Sequence, residues 1–572
     1  MAQTSAAIFF KADEFNPYKR MMGRQVASNA FLKAVARYEP DSELAIYSGD
    51  RGEVPAFEKV QQEMGAPGRR YRWIRTGDLT GLGTAGCLYR PDPVLHEEAW
   101  VRKGGDTRAF SLCGVTHTLS STGAQRALTQ FLIAPYEEWD AVICTSHAVR
   151  KVIDGITEEY GGYLAERLGT RELPKPVHQL PVIPLGVHTD EFDTTTEEMK
   201  RARRRWRQQL RIRDNDFVVL FVGRLAFHAK ANPLPMYVGL EQAAKRTGKK
   251  IHLVQVGWFG TDFIERAFKD TPRVLCPSVS CHFLDGRDPK VRKDIWAVGD
   301  IFSSLVDNIQ ETFGLSPVEA MACGMPVVVA DWDGYRETVR DGIDGFLIPT
   351  LMTPPGFGDT MAHRHFAGID TYDMYIAAAA LNVAVDAKAA AEAYIQLIEN
   401  PDLRQRMGAA GRTRAKETFE WKRVYGLYRD LWGDLNGRRQ SAQQRAPRKP
   451  GMSLNPAHPD PFRLFAHYTT HTFGGRARVL NVEGRSLEEW RKTLALPLLT
   501  TGHATMLDVE GIAALHVVLG ENGGSATVNE ILQALGTRRR EQTIRSISWL
   551  TKAGLLEIAD PTIVRDRPEP LP

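Results

Sequence analysis

The chain has 572 residues and a mass of 63.9 kDa, so it is too long for one hydrophobic core and several domains are expected. Its composition, 43% hydrophobic and 25% charged, is that of a globular protein and excludes a disordered or fibrous one. The net charge of +4 is too small for this size to indicate nucleic-acid binding. The apolar run Ala6–Phe10 is too short for a membrane span or a signal peptide, so we expect a first strand there and a cytoplasmic protein.

The chain is predicted to be an α/β protein through about residue 435, because short β-rich runs alternate with helical patterns. Runs this apolar, separated by helices, predict parallel sheets covered on both faces. The strand candidates are Leu44–Ser48, Ala141–Thr145, Phe217–Val222, Ile251–Val256 and Pro326–Ala330. Cysteines are scattered and are expected to be reduced thiols. Cys276 and Cys281 have no second Cys/His pair at zinc spacing nearby, which disfavours a zinc site.

The domain boundaries follow from composition. We predict an N-terminal Rossmann-like domain over residues 1–190, a second one over 191–417, and a helix over 418–435. Residues 436–461, mostly rich in Arg, Gln and Pro, form a predicted linker, and residues 462–572 a separate accessory domain. Residues 351–382, opened by Pro354-Pro-Gly-Phe-Gly358, interrupt the α/β pattern as an insertion, which we interpret as a lid, a contact surface or an ornament.

The richest segment places Glu311 and Glu319 eight positions apart, across a loop-to-helix junction before an apolar strand. Ser316 is predicted as the N-cap of the helix, with Pro317 at its first position and Glu319 completing a capping box. Gly324 is expected to end the helix. A helix N-terminus presents unpaired N–H groups that attract anions. Taken alone, Glu319 only caps the helix and Glu311 is a solvated loop acid; taken with other segments, both line a ligand site.

This segment resembles the E-x7-E signature of retaining glycosyltransferases of family 4, which have the GT-B fold. Phe221–Leu225, at the end of an apolar strand, resembles the family motif in which an Arg and a Lys hold the donor diphosphate. Arg224 and Lys230 are the matching positions, with one residue more between them than in the usual pattern. Two fixed cations there would stabilise the charge that develops as the leaving group departs.

Four further segments are similar to parts of the family. Ile183–Phe192 resembles the segment that crosses between domains, and Asp331–Val339 the segment that closes the donor site. Gly23 matches one of the two glycines common in a loop that approaches the donor phosphates, with a simple helix start as the alternative. His117 matches a strand-end His that holds the donor sugar, with a core His as the alternative. Asp331-Trp-Asp333 superficially forms a D-x-D metal motif, which the resemblance disfavours.

The resemblance implies a GT-B fold, in which two Rossmann-like domains face a cleft, and transfer of a sugar from a nucleotide-diphosphate sugar with retention. It implies a donor substrate rather than a cofactor, and no metal. Glu311 would accept hydrogen bonds from the transferred sugar and Glu319 from the nucleotide ribose. The remaining positions implied to hold the donor diphosphate are Arg224, Lys230 and the backbone of Phe313, Gly314 and Leu315.

Partners other than the donor are less defined. The acceptor, whether saccharide, lipid-linked, peptide or small molecule, is not identified. The basic run Arg201–Arg207 is read as a solvated helix, with a peripheral membrane surface as the alternative. A helix at Val528–Gly536, a helix at Arg540–Lys552 and a strand at Gly554–Ile558 resemble a winged-helix module that would bind a protein or peptide.

The alternative function is a regulator that senses a sugar nucleotide and binds nucleic acid or a partner protein through this tail. The residues that would face nucleic-acid phosphates are Arg538, Arg539, Arg540 and Arg545. Nucleic acid is disfavoured as a partner, because arginines on a helix are usually a solvated face.

Overall fold

The computed structural model describes residues 5–12, 23–443, 452–536 and 539–563, without the side chains of Arg24 and Ile563. The chain forms two compact units, Met1–Pro450 and Gly451–Pro572. Arg538 of the predicted basic cluster lies outside the described residues. No helix in these four ranges is long and apolar enough to cross a membrane.

The first sheet of the larger unit has six parallel strands in the order β3-β2-β1-β4-β5-β6. Its strands are β1 Ala7–Phe9, β2 Glu43–Ser48, β3 Arg70–Arg75, β4 Cys87–Tyr89, β5 Ser111–Val115 and β6 Ala141–Ile143. The described helices that alternate with them are Gly23–Tyr38, Glu53–Glu63, Leu79–Ala85, His96–Lys103, Thr122–Thr129 and His147–Leu168. Apolar clusters lie on both faces of the sheet, as the apolar strand pattern predicts.

The second sheet of this unit also has six parallel strands, in the order β12-β11-β10-β7-β8-β9. They are β7 Phe217–Val222, β8 Ile251–Gly257, β9 Ser280–Asp285, β10 Ile301–Ser304, β11 Val327–Ala330 and β12 Gly345–Ile348. Its helices are Glu197–Gln209, Leu234–Thr247, Asp262–Leu275, Pro289–Asp294, Leu315–Ala322, Tyr335–Thr338, Ala387–Glu399 and Pro401–Arg414.

Both sheets reverse their strand order at one place, between β1 and β4 in the first and between β7 and β10 in the second. In parallel α/β sheets, ligands bind beyond the carboxyl ends of the strands at such a reversal. In the second sheet, β7 ends at Val222 and β10 ends at Ser304. The loops that follow these two strands carry the predicted cations and the first glutamate, so the topology alone brings them to one edge.

The helix Trp421–Ser441 connects the two halves of the larger unit. It follows the second sheet in sequence, yet its buried side chains belong to the apolar cluster on the first sheet. Trp421 and Trp432 are each 1% exposed there. The chain crosses between the halves at Val187, whose N–H donates to Phe419 O at 2.7 Å. The helix continues to Ser441, beyond residue 435 and into the segment predicted as a linker.

The insertion at residues 351–382 is an ordered helical hairpin. Its base is a two-stranded antiparallel ribbon of β13, Thr350–Met352, and β14, Val383–Val385. Between them lie the helices Asp359–Phe366 and Tyr372–Ala380. Ile376 packs against Ala226 and Ala229, which lie in the loop after β7. The insertion therefore covers a loop that carries predicted site residues.

The basic run Arg201–Arg207 is partly a solvated face, as predicted, and partly an anchor for its own helix. It lies in the helix Glu197–Gln209. Arg203 and Arg207 both pair with Asp300, and Arg205 pairs with Asp294 at 2.5 Å. Arg207 is only 7% exposed and also donates to two backbone carbonyls. Two arginines thus anchor the helix to the second sheet, while Arg201, Arg204 and Arg205 are exposed on its other side.

The smaller unit has its own apolar core. Its three-stranded antiparallel sheet has the order β17-β16-β18, and β15 pairs with β19. The strands are β15 His471–Thr472, β16 Arg478–Asn481, β17 Ser525–Thr527, β18 Leu556–Ala559 and β19 Thr562–Ile563. The helices are Pro461–Leu464, Leu487–Leu494, Pro497–Thr500, Val509–Glu521, Val528–Leu535 and Arg540–Lys552. The predicted helix, helix and strand at its end are present, while the winged-helix assignment stays a prediction.

Candidate functional site

The centre of the candidate site is an ion pair between Lys230 and Glu311. The Lys230 ammonium donates to Glu311 Oε2, and the two side chains are 22% and 15% exposed. Burial raises the pKa of Glu311, but the Lys230 ammonium and the backbone N–H groups of Thr312 and Phe313 outweigh it, so the pKa lies below its ordinary value. Burial lowers the pKa of Lys230, and Glu311 raises it above the ordinary value. Both groups are therefore charged at neutral pH.

Two polar residues at the end of β10 hold this pair in place. Asp307 Oδ1 accepts the backbone N–H of Asn232 at 3.2 Å, and Asn308 Nδ2 donates to His228 O at 2.6 Å. The loop after β10 is thereby tied to the loop after β7 on both sides of Lys230. Burial raises the pKa of Asp307 to about 7. Sequence reasoning missed both residues; an Asp-Asn pair directly after a buried strand is the signal that marks them.

The helix after Glu311 begins earlier than predicted, so the capping box does not form. It spans Leu315–Ala322, with Gly314 as its N-cap at a φ of 90° and no side-chain cap. A Cβ on Gly314 would lie 2.0 Å from the ring of Tyr335, so only glycine fits this turn. Ser316 and Pro317 lie inside the first turn instead of starting it. Gly324 follows the helix with a φ of 79°, as expected for a helix stop.

Glu319 is released from capping by this shift. It lies in the second turn of the helix and is partly buried. Burial raises the pKa of its carboxyl to about 7, with Lys230 opposing and Glu191 adding to the rise. A carboxyl with such a pKa changes charge near neutral pH and suits a hydroxyl partner, to which it either donates or accepts a hydrogen bond.

Arg224 lies in the loop after β7 but is folded back on that loop. Its guanidinium donates to Ala229 O at 2.9 Å. Burial lowers the pKa of Arg224, and Asp373 and Tyr372 of the insertion partly oppose this effect. Arg224 therefore lies in the same loop as Lys230, near Asp373 and Tyr372 of the insertion hairpin.

The residues predicted on the first sheet, His117 and Gly23, lie at the ends of secondary-structure elements. His117 follows β5 and is partly buried. Gly23 is the first residue of the helix Gly23–Tyr38, and a Cβ there would meet no atom within 4 Å. Nothing in the described structure requires glycine at this position, and Met22 of the predicted loop lies outside the described residues. The roles of His117 and Gly23 stay predictions.

The two halves of the larger unit form hydrogen bonds with each other at the loops of the second sheet. Glu337 accepts the backbone N–H groups of His147 and Ala148, at 2.9 and 3.0 Å, and so caps a helix of the first half. The His147 Nδ1 lies 2.9 Å from the same carboxylate. Ser146 Oγ donates to Thr312 O at 2.9 Å, next to Glu311. Sequence reasoning did not single out Glu337, although it lies in the Asp331–Val339 segment.

The insertion hairpin reaches the first half as well. Tyr372 OH lies 2.7 Å from Ser120 Oγ, and His365 Nε2 lies 2.9 Å from Thr122 Oγ1. Ser120 and Thr122 follow His117 at the carboxyl end of β5. The hairpin therefore bridges the two sets of loops that carry the predicted site residues.

The two aspartates of the D-x-D pattern do not share a ligand site. Asp331 pairs with Arg336 at 2.8 Å, whereas Asp333 Oδ1 accepts the backbone N–H of Gly334. In the described part of the chain, no cluster of three or more His, Cys, Asp or Glu side chains is arranged to hold a metal ion. Cys276 Sγ and Cys281 Sγ lie 3.9 Å apart as free thiols.

In comparison with known proteins, residues 202–353 match the model of the family described as glycosyl transferases group 1. The chain is 29% identical over 144 residues to a D-inositol 3-phosphate glycosyltransferase of Rhodococcus erythropolis, covering 25% of this chain and 32% of the relative. It is 31% identical over 172 residues to the protein of that name in Geodermatophilus obscurus, covering 29% of this chain and 36% of the relative. The chain thus spans about a third of the length of these relatives.

A third relative is a phosphatidyl-myo-inositol mannosyltransferase of Mycobacterium leprae, 32% identical over 114 residues, which cover 20% of this chain and 21% of the relative. A crystal structure of Anabaena HepE in complex with UDP aligns with 75% of this chain and 99% of its own, at 16% identity and a TM-score of 0.48. The regulator alternative draws no support from these matches. Arg224, Lys230, Glu311, Glu319 and Asp333 all lie in residues 202–353, the part of the chain that resembles the glycosyl transferases group 1 family.

Proposed function

We propose that the protein is a retaining glycosyltransferase of family 4 with the GT-B fold, which transfers a sugar from a nucleotide-diphosphate sugar to an acceptor. The observation that carries the proposal is the Lys230–Glu311 ion pair at the strand-order reversal of the second sheet, inside the segment that matches the family. A lysine beside a carboxylate at this edge offers one group for a phosphate and one for sugar hydroxyls.

The diphosphate would lie against Lys230 and the first turn of the helix Leu315–Ala322. The first four N–H groups of a helix have no partner within it, and its dipole favours an anion there by about 0.3–1 kcal/mol. Arg224 would join by turning from Ala229 O toward the phosphates. The donor thereby replaces an internal hydrogen bond with a charged one, which is the stronger type.

Catalysis in this arrangement is electrostatic and positional. As the bond between the sugar and the diphosphate breaks, negative charge grows on the phosphate oxygens, and the fixed Lys230 ammonium stabilises that charge more than the ground state. Glu311 would accept hydrogen bonds from hydroxyls of the transferred sugar and hold its reacting carbon beside the cleft. Glu319 would accept from the ribose hydroxyls of the nucleotide. Attack from the face of the leaving phosphate, with that phosphate taking the acceptor proton, accounts for retention without a covalent enzyme intermediate.

No metal is needed in this proposal, because Lys230 and the helix N-terminus supply the positive charge. The acceptor would enter from the first half of the larger unit, where His117 follows β5. Inositol-containing acceptors, as named for two of the relatives, are the first class to test. The smaller unit would act as a docking module for a protein or peptide.

The proposal is tested by incubating the full chain with a panel of sugar nucleotides and measuring release of the nucleoside diphosphate, with and without inositol phosphates. We expect one nucleotide class to raise the melting temperature and to be hydrolysed or used for transfer; a ligand at about 100 times its Kd adds about 2.7 kcal/mol of stability. The product anomer, read by NMR, decides retention. Wild-type activity in both Arg224→Ala and Glu311→Ala would refute the site.

A further inference from the structure

Asp333 has an unfavourable backbone conformation beside the candidate site. Its φ is 36°, in the left-handed region that favours glycine. Such strain is retained in folded proteins where the surrounding structure imposes it, and it concentrates at ligand sites. One oxygen of its side chain, Oδ1, accepts the backbone N–H of the next residue, Gly334.

The other carboxylate oxygen of Asp333 is unpartnered. Oδ2 is buried and has no hydrogen-bonding partner among the described residues. A buried acceptor without a partner costs folding free energy, and such groups in native proteins usually have a ligand, a water or a catalytic role. The position thus combines a strained backbone with an unused polar atom.

Close packing fixes Asp333 next to Glu311. A Cβ on Gly334 would lie 2.6 Å from both Thr312 O and Phe313 Cα, so the two loops touch backbone to backbone. Gly314 is covered by the ring of Tyr335 in the same way. The loop after β11 therefore cannot move away from the loop after β10 without losing this contact. Asp333 is therefore held beside the loop that carries Glu311.

The charge around Asp333 indicates which ligand fits there. Burial and the nearby Glu311 raise the pKa of Asp333 well above its ordinary value, while Lys230 opposes and Glu337 adds to the rise. An anion placed directly at Asp333 Oδ2 would be repelled by the carboxyl groups of Asp333 and Glu311, whereas the diphosphate would lie on the side of Lys230. A hydroxyl is the better partner, because it both donates and accepts and matches a carboxyl group in either protonation state.

We propose that Asp333 is a specificity-determining residue of the donor site, whose Oδ2 forms a hydrogen bond with one hydroxyl of the transferred sugar beside Glu311. This assignment rests on the proposed function, because it requires a donor sugar in the cleft. With this assignment, the loop after β11 recognises the stereochemistry of the transferred sugar and not the nucleotide. A sugar lacking that hydroxyl leaves Oδ2 unpaired in the complex.

The test measures kcat/KM of the full chain for its donor and for the series of monodeoxy analogues of that donor. The variants are Asp333→Gly, which removes the carboxyl and fits the positive φ, and Asp333→Asn, which keeps the shape and tolerates the same φ. Asp331→Asn is the matched control, because Asp331 lies in the same loop and pairs with Arg336. Melting temperatures show whether each variant folds.

We expect wild type and Asp331→Asn to discriminate against one deoxy donor by about 10- to 100-fold, and Asp333→Gly to lose that discrimination for that donor alone. The melting temperature without donor should not fall in Asp333→Asn. Retained discrimination in an active Asp333→Gly variant overturns the assignment, and so does an equal loss on every donor, which a structural role would produce. A wild-type protein that binds no sugar nucleotide overturns the proposed function itself.

Discussion

The loops of the second sheet and the loops of the first sheet differ in how much of the site they build before any ligand binds. On the second sheet, Lys230 and Glu311 already pair, and Asp307 and Asn308 tie their loops together. On the first sheet, His117 lies at a strand end and Gly23 opens a helix. The half that would hold the donor is thus preorganised by its own contacts, which indicates that donor binding needs little rearrangement there.

The largest effect is expected from removing the cation of the Lys230–Glu311 pair on the second sheet. We expect Lys230→Ala to lower kcat/KM by about 100- to 1000-fold, because the leaving diphosphate loses its fixed positive charge. Lys293→Ala is the control, since Lys293 pairs with Glu198 at 2.8 Å where both side chains are 62% exposed. Steady-state kinetics and melting temperatures of both variants provide the readout. A loss below about fivefold in Lys230→Ala would place the diphosphate elsewhere.

Replacing His117 tests the other side of the comparison. We expect His117→Ala to lower kcat/KM by about 10- to 100-fold, less than Lys230→Ala, because one hydrogen-bonding group is lost rather than the ammonium beside the leaving diphosphate. His117→Gln, which keeps a hydrogen-bond donor, should recover part of the activity. Kinetics with a saturating donor separate kcat from KM. Equal losses of kcat/KM in His117→Ala and Lys230→Ala would show that the two halves contribute equally to the site and would contradict the comparison.

The charge of Glu319 gives a pH dependence. Because burial raises its pKa to about 7, we expect donor affinity to rise with pH up to about 7 and then level off, with up to about tenfold change per unit below it. Without donor, the sign is opposite. The unfolded chain loses this proton near pH 4 and the folded chain near pH 7, so the free energy of unfolding falls as pH rises across that window.

The measurement compares wild type with Glu319→Gln at pH 6 and pH 8, by donor titration and by denaturant unfolding. Glu319→Gln should flatten the affinity profile and remove about 1–3 kcal/mol of the pH-dependent stability. Asp307 titrates in the same range, so the difference between the two proteins, not the wild-type profile alone, isolates Glu319. A variant that keeps the wild-type affinity profile would exclude Glu319 from the donor contacts.

The insertion hairpin offers a finer test, because it joins the two halves. Tyr372→Phe removes the hydroxyl that meets Ser120 and should shift the hairpin toward an open state by about two- to tenfold. We expect faster hydrogen exchange in residues 120–129 and a larger share of donor hydrolysis relative to transfer. Tyr375→Phe is the control, since the ring of Tyr375 stacks on His365. Unchanged exchange in Tyr372→Phe would make the hairpin an ornament.

The smallest effect is expected from the smaller unit. A chain ending at Pro450, the boundary between the compact units, should keep transfer to a small acceptor within about twofold, because the smaller unit has its own core. A small-acceptor assay and a melting curve test this. A large loss would assign the smaller unit a part in catalysis rather than in docking.

Much of the fold could be predicted from the sequence, since the apolar strands and the Gly324 helix stop depend on local patterns. The helix start could not, because Gly314 takes its conformation under the ring of Tyr335, a contact between separate loops. The anchoring role of two arginines in the basic run could not be predicted for a similar reason. Arg203 and Arg207 meet Asp300, about ninety residues further along the chain, and no spacing rule reveals such a partner.

In the candidate site, Arg224, Lys230 and Glu311 were named from motifs in the loops that follow β7 and β10. Asp333 was considered only as part of the D-x-D pattern, and Glu337 was not singled out. The features that distinguish them come from contacts between loops: Asp333 has a positive φ beside Glu311, and Glu337 caps a helix of the opposite half. Patterns along the chain indicate which loops carry function. Packing between loops decides which side chains in them remain without a partner.

The helix Trp421–Ser441 also sets a rule for recombining such proteins. Its Trp421 and Trp432 fill the core of the first sheet although they are encoded after the second. A chimera that exchanges the first half for that of another protein at residue 190 would leave these tryptophans facing a foreign surface. A chimera that takes its first half from another protein therefore needs two crossover points, one near residue 190 and one before Trp421. The first half and the helix that packs on it then come from the same protein.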